Sequence, residues 1–298
     1  MRLCGTDPFT NGNVVRSISG LGLNPSGFDV DVNGDVYVAV TSSNQVWKFD
    51  PTTTSFAPDT NFGFGGFIGM TNGLSSTNDG AFNAPFGVSV LPNGGQVSVS
   101  DSGNNRIEQF DLYGNFQDSF GSFGSSLGQF DAPKGLAYDD GGTLHVVDSG
   151  NNRIVLAQGT FVISVSGTNG TGFGQFNGPL NINFGDHGGY IADTGNNRIE
   201  SFSSPAADFP FTADPSAIRF SFSTNFNEPA AIAAMDDNLT TEKYWVADTG
   251  NNRVVLYTLA SDNPQPPWTN FFAHVASGDT EGAPQGIGQA NIAKFSQI

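Results

Sequence analysis

The chain has 298 residues, a formal charge of −17 and only 13% charged residues, which allows one large domain or two. Its 11 basic residues form no cluster of the kind that nucleic acid or an anionic membrane surface needs, so neither is expected as a partner. No run of 18 apolar residues occurs and residues 1–20 hold no apolar leader core, so neither a membrane span nor a signal peptide is expected.

In chain order, Gly12-Asn-Val-Val-Arg-Ser-Ile-Ser-Gly20 reads as a strand, with residues 2–7 laid more loosely on a strand before it. Cys4 is the single cysteine, so no intrachain disulfide is possible. Pro25 opens the next strand, Val32-Asn-Gly34 is a turn, and Asp35-Val-Tyr-Val-Ala39 is a second strand. Asp29-Val-Asp-Val-Asn-Gly-Asp35 has the opening of a calcium loop, but its twelfth position is Val40 where that chemistry needs a carboxylate. The turn reading is preferred, and no metal or other cofactor is expected.

Further along, one hexapeptide recurs four times. It stands at Asp101-Ser-Gly-Asn-Asn-Arg106, Asp148-Ser-Gly-Asn-Asn-Arg153, Asp193-Thr-Gly-Asn-Asn-Arg198 and Asp248-Thr-Gly-Asn-Asn-Arg253, in steps of 47, 45 and 55 residues. A period of this size signals a repeat architecture. The unit from 131 to 166 shows its content. Asp131-Ala-Pro-Lys-Gly-Leu-Ala-Tyr138 is a half-buried strand, Asp139-Asp-Gly-Gly142 a turn, and Thr143-Leu-His-Val-Val147 a β-branched strand. The hexapeptide then turns the chain into Arg153-Ile-Val-Leu156, and Gly159-Thr-Phe-Val-Ile-Ser-Val165 is the fourth strand. Four short antiparallel strands per unit is the pattern of a β-propeller blade. Helices should be nearly missing.

The other units follow the same frame, with strand-opening Pro25, Pro85, Pro179 and Pro229. The first is degenerate: Val40-Thr-Ser-Ser-Asn-Gln45 stands in the place of the hexapeptide. Gly/Phe segments separate the units and account for the 39 Gly and 27 Phe. Blades are expected near 21–60, 82–120, 130–166, 176–204 and 226–260, with a sixth from 285–298 and 2–20. Asn291-Ile-Ala-Lys-Phe-Ser-Gln-Ile298 resembles a first strand and 12–20 a fourth, which should bring Phe295 near Val14 and Val15. A second strand for that blade is not found, so it is expected to be incomplete, its gap explained by a longer chain, by a strand from another molecule or by a blade of three strands. Loops longer than the repeat are expected at 51–83, 203–227 and 259–288.

These motifs resemble those of NHL-repeat proteins. The pattern Gly-x-Phe-x-x-Pro followed by Ala-Asp-Thr-Gly-Asn-Asn-Arg-Ile is matched in Gly174-Gln-Phe176 with Pro179, and in Ile191-Ala-Asp-Thr-Gly-Asn-Asn-Arg-Ile199. The resemblance covers residues 13–298 and implies an all-β, six-bladed propeller of four-stranded antiparallel blades in a single domain over 1–298, the sixth blade assembled from both ends. It implies little about chemistry. NHL relatives include peptidyl-hydroxyglycine amidating lyases, which hold zinc with histidines near the axis. Here His145, His187 and His274 stand in no matching repeat context, so no such site is expected.

Fourfold use makes Asp101, Arg106, Asp148, Arg153, Asp193, Arg198, Asp248 and Arg253 structural residues by expectation, each Asp holding its turn and each Arg making charge-assisted bonds. No Gly-x-Ser-x-Gly opens a helix, and Gly63-Phe-Gly-Gly66 precedes none, so no catalytic residue is expected. Asn169-Gly-Thr171 and Asn238-Leu-Thr240 are acceptor sequons for glycosylation, and Pro51-Thr-Thr-Thr-Ser55 is a weaker O-linked candidate.

The expected function is a non-enzymatic binding or scaffold module, extracellular or at the cell surface, that takes a protein or glycan ligand on its loops. One alternative is a structural subunit that self-associates by strand exchange through the incomplete blade. Another is a propeller lyase or hydrolase.

Overall fold

The computed structural model describes residues 25–50, 57–92, 94–185, 188–202, 220–222, 225–235, 241–260 and 274–277. Among them lie five four-stranded antiparallel sheets. Blade one is Pro25–Val30, Val36–Val40, Gln45–Phe49 and Phe67–Gly69. Blade two is Pro85–Val90, Val97–Asp101, Arg106–Phe110 and Phe116–Phe120. Blade three is Pro133–Tyr138, Leu144–Asp148, Arg153–Gln158 and Phe161–Ser166. Blade four is Asn181–Gly185, Gly188–Asp193, Arg198–Phe202 and Phe220–Phe222, and blade five is Pro229–Met235, Thr241–Asp248, Arg253–Ala260 and His274–Ser277. The first strands of all five line one cavity, which makes the arrangement a β-propeller.

Each second strand pairs with its third in register, so that Asp101 faces Arg106, Asp148 faces Arg153, Asp193 faces Arg198 and Asp248 faces Arg253. The residues between form single 3₁₀ turns, and no other helix occurs among the described residues. None is long or apolar enough to cross a membrane. Each turn closes on an Asn in the left-handed region, with φ between 51° and 56° at Asn44, Asn105, Asn152, Asn197 and Asn252. Asn tolerates that conformation better than other side chains with a Cβ.

Four core clusters lie between neighbouring blades, and two smaller ones lie on single faces of blades one and five. Val97, Val99 and Phe110 of blade two pack on Tyr37, Val46 and Ile68 of blade one. Leu136, Val146 and Val155 of blade three pack on Ile107 of blade two. Ile154 and Leu156 of blade three meet Ile182, Ile191 and Phe202 of blade four, and Tyr190 and Ile199 meet Ile232, Tyr244 and Val246 of blade five. Blades two, three and four thus have both faces covered, which explains why inner strands such as Val97–Asp101 are buried at every position. One linker phenylalanine joins each interface: Phe82, Phe130, Phe176 and Phe226, all buried.

The fourth strands of blades one, four and five lie farther along the chain than the repeat suggests. Phe67–Gly69, Phe220–Phe222 and His274–Ser277 fall inside the segments 51–83, 203–227 and 259–288 that read as long loops. Outer strands of three or four residues carry too little alternation to be seen in the sequence. The sixth blade expected from 285–298 and 2–20, with its contact between Phe295 and Val14, lies outside the described residues, as does Cys4.

Candidate functional site

The repeated motif forms a clasp on the linker that leads into its own blade. In blade four, Asp193 Oδ2 accepts from Arg198 Nε at 2.7 Å and from Asn196 Nδ2 at 2.8 Å, while Oδ1 accepts from the Asn177 backbone N–H. Arg198 then donates to the carbonyls of Thr171, Gly172 and Gln175. Arg153 does the same with Asp148 and with Ser125, Ser126 and Gln129. Arg106 binds Asp101 and the carbonyls of Thr77, Asn78 and Ala81. Arg253 binds Asp248 at 2.5 Å and the Asn225 carbonyl. The four Asp are fully buried. The motif glycine has no room for a side chain, since a Cβ on Gly103 would stand 2.7 Å from the Asn83 carbonyl oxygen.

A second set of bonds ties each turn to the next blade. The backbone N–H of Ala84, Ala132, Gly178 and Glu228 donates to the side-chain oxygen of Asn44, Asn105, Asn152 and Asn197 at 2.7–2.8 Å. The hydroxyls of Thr41, Ser102 and Thr194 donate to the carbonyls of Pro85, Pro133 and Pro229. Blade one keeps these ties but not the clasp, because Val40 and Gln45 replace Asp and Arg. Gln45 instead donates to the Met70 carbonyl.

Two clasps hold a further carboxylate. Glu108 lies 2.7 Å from Arg106 and Glu200 lies 2.5 Å from Arg198, the latter close without the alignment of a hydrogen bond. Burial pushes Glu108 up to about 8 and Glu200 up to about 7, with the arginines opposing the shift. Burial also raises Asp101 and Asp148 above the usual carboxylate range.

The axial cavity is the other candidate. It is a narrow space, open to solvent, between the first strands. Inner strands approach closely there: a Cβ on Gly87 would stand 2.7 Å from the Lys134 carbonyl oxygen. Polar side chains stitch the strands together. Asp29 accepts from the Ser89 hydroxyl and the Val90 N–H, both at 2.9 Å, and Asn183 accepts from the Ala234 N–H at 3.1 Å. Ser26, Phe86 and Ala230, which follow strand-opening prolines, line the end of the cavity nearest the motif turns, because those prolines pair with the motif ends. Lys134 follows Pro133 and is not itself a lining residue, but its ammonium lies 4.7 Å from the centre of the Phe86 ring. Burial holds its pKa below the ordinary lysine value.

The three carboxylates of the calcium-like segment do not converge. Asp29 faces blade two, Asp31 accepts from the N–H groups of Asn33 and Asp35 in its own turn, and Asp35 lies 2.8 Å from Lys48. Among the described residues no group of three His, Cys, Asp or Glu is placed to hold a metal. His145 is buried, bonded to Asp139 at 3.0 Å and edge-on to Phe184. His187 and the side chain of His274 lie outside the described residues. Asn169 is exposed; Asn238, like 51–56, lies outside them.

Sequence reasoning did not single out Glu108, Glu200, Lys134 or the interblade asparagine bonds. The Glu residues recur in only two blades, and Lys134 reads as the polar half of an alternating strand. The asparagines were visible as repeated residues, but their partners are in the next blade.

No known protein-family profile matches the chain. A segment of 65 residues is 42% identical to the RING finger protein nhl-1 of Caenorhabditis elegans, covering 22% of this chain and 7% of that protein. Among solved structures, a streptogramin B lyase has a TM-score of 0.56 at 13% identity, over 84% of this chain and 68% of its own. A chain of a nidogen–laminin complex has a TM-score of 0.55 at 17% identity, over 79% and 76%. The WD40 repeats of RRP9 have a TM-score of 0.56 at 11% identity, over 80% and 61%. At such identities the likeness shows the propeller fold alone.

Proposed function

We propose that this chain is a six-bladed NHL-type propeller that serves as a non-enzymatic binding or scaffold module outside the cell. The local likeness to nhl-1 and the recurring Asp-Thr-Gly-Asn-Asn-Arg support the NHL assignment. The charged groups of the motif hold linkers and turns, which supports a structural role for all eight Asp and Arg.

The observation that carries the binding reading is a row of exposed apolar side chains on three successive linkers. These are Leu74 before blade two, Phe123 and Leu127 before blade three, and Phe173 before blade four. Leu127 and Phe173 occupy equivalent positions, six residues before Pro133 and Pro179. The clasps fix these linkers to the frame, so the exposed side chains stand on rigid supports. Large apolar groups presented this way favour a protein partner, with a glycan stacked on the Phe rings as the other ligand class.

The test is proximity labelling on intact cells, then reconstitution with the purified partner. Phe123→Ser, Leu127→Ser and Phe173→Ser combined should weaken that interaction about tenfold or more with Tm unchanged. Equal binding by the triple variant would overturn the assignment of this face.

A further inference from the structure

The cationic side chains described elsewhere in the molecule are held by carboxylates. Arg106, Arg153, Arg198 and Arg253 pair with motif aspartates, and Lys48 pairs with Asp35 and Asp59. Lys134 differs. It is half-buried, and among the described residues no carboxylate stands within ion-pair distance of its ammonium, which meets only the Phe86 ring. Phe86 lines the axial cavity, and Ser26 and Ala230, which also follow strand-opening prolines, line it too. A chain with few lysines has placed one against the ring of a cavity-lining residue, where desolvation of the ammonium is unfavourable and a ring alone offsets only part of it.

We propose that the ammonium of Lys134, beside the Phe86 edge of the axial cavity, binds a carboxylate carried on an apolar group. The ammonium would meet the carboxylate, while Phe86 and the aliphatic part of the cavity wall would cover the apolar body. Single charge is favoured over phosphate because the chain's net charge of −17 repels a multiply charged anion more strongly. The negative charge of a bound carboxylate would also raise the Lys134 pKa, opposing the desolvation that holds it down. The proposal deepens the binding reading by naming a ligand chemistry. It does not depend on the linker tips, whose variants test that face separately.

Two sources share this chemistry: a small aryl- or alkyl-carboxylic acid, and the C-terminal carboxylate of a peptide ending in an apolar residue. Calorimetric titration with 3-phenylpropionate, its amide, N-acetyl-alanyl-phenylalanine and the C-terminally amidated form of that peptide tests both. Each acid should bind about tenfold or more tightly than its amide. Lys134→Met should remove that preference without lowering Tm, and Lys134→Arg should keep part of it. Tighter binding by the peptide acid assigns the site to a chain terminus, and tighter binding by phenylpropionate assigns it to a small acid. The proposal fails if neither acid binds at millimolar concentration, if acid and amide bind alike, if inorganic phosphate competes as well as the acids, or if Lys134→Met binds like the parent.

Discussion

Glu108 and Asp101 share the guanidinium of Arg106, and this sharing has a pH signature. Glu108 is fully buried, and burial raises its folded pKa to about 8 from an ordinary value of 4.5. Between those values the folded state binds more protons than the unfolded state, so stability falls as pH rises through the window. Below pH 4.5 the contribution is fully present, and above 8 it is lost. Glu200 adds the same trend over a window that ends near 7. Glu108→Gln keeps the shape and removes the titration. Its Tm relative to the parent should therefore rise when thermal melts are compared at pH 5 and pH 8. A difference that stays constant across that range would show that Glu108 remains ionised and paired in the fold. Nothing in the sequence marks Glu108 for this role, because the positions equivalent to it in blades three and five are Val155 and Val255.

At the scale of the element, blade one is a natural comparison for the clasp. Val40 and Gln45 replace Asp and Arg there, yet the 3₁₀ turn at Thr41–Ser43 still forms and Asn44 still receives the Ala84 N–H. The turn therefore depends on the Ser/Thr at its start and the Asn that closes it, and the ion pair serves the linker. Removing one partner of a buried pair leaves an uncompensated charge, at a cost of about 3–5 kcal/mol. Arg198→Gln alone would strand Asp193, and Asp193→Val alone would leave Arg198 facing Glu200 and the linker carbonyls. The pair of changes together copies blade one. It should cost less than either single change, with a coupling of at least about 1 kcal/mol in urea unfolding. Additive effects would mean that the two side chains act separately. The repeat made this clasp visible in part: Asp and Arg at fixed spacing read as a turn with a charged pair. Its linker half was hidden, because Arg198 binds backbone carbonyls at Thr171, Gly172 and Gln175, and a carbonyl leaves no trace in residue type. The inner strands were legible for the same physical reason that they are rigid. Packing on both faces demands runs such as Val97–Asp101, whereas the short outer strand Phe220–Phe222 looks like loop.

Across the whole molecule, two electrostatic effects oppose each other when salt is added. The net charge of −17 makes the compact state repel itself, and added salt relieves that repulsion. The Arg–Asp pairs attract, and salt weakens attraction where solvent reaches the charges. Here the aspartate side chains are fully shielded, and Arg153 and Arg198 are about a tenth exposed, so screening barely touches them. Repulsion spread over the surface is screened strongly, as the Debye length shrinks from about 30 Å at 0.01 M to about 8 Å at 0.15 M. Relief of repulsion should win, and Tm should rise over that range of sodium chloride. A falling Tm would mean that the clasps are open to solvent. The same melts separate screening from a specific cation. Asp29, Asp31 and Asp35 face Ser89, their own turn and Lys48, so adding a chelator at fixed ionic strength should leave Tm unchanged. A drop of several degrees on chelation would point to a bound divalent ion, with those three carboxylates the first to substitute.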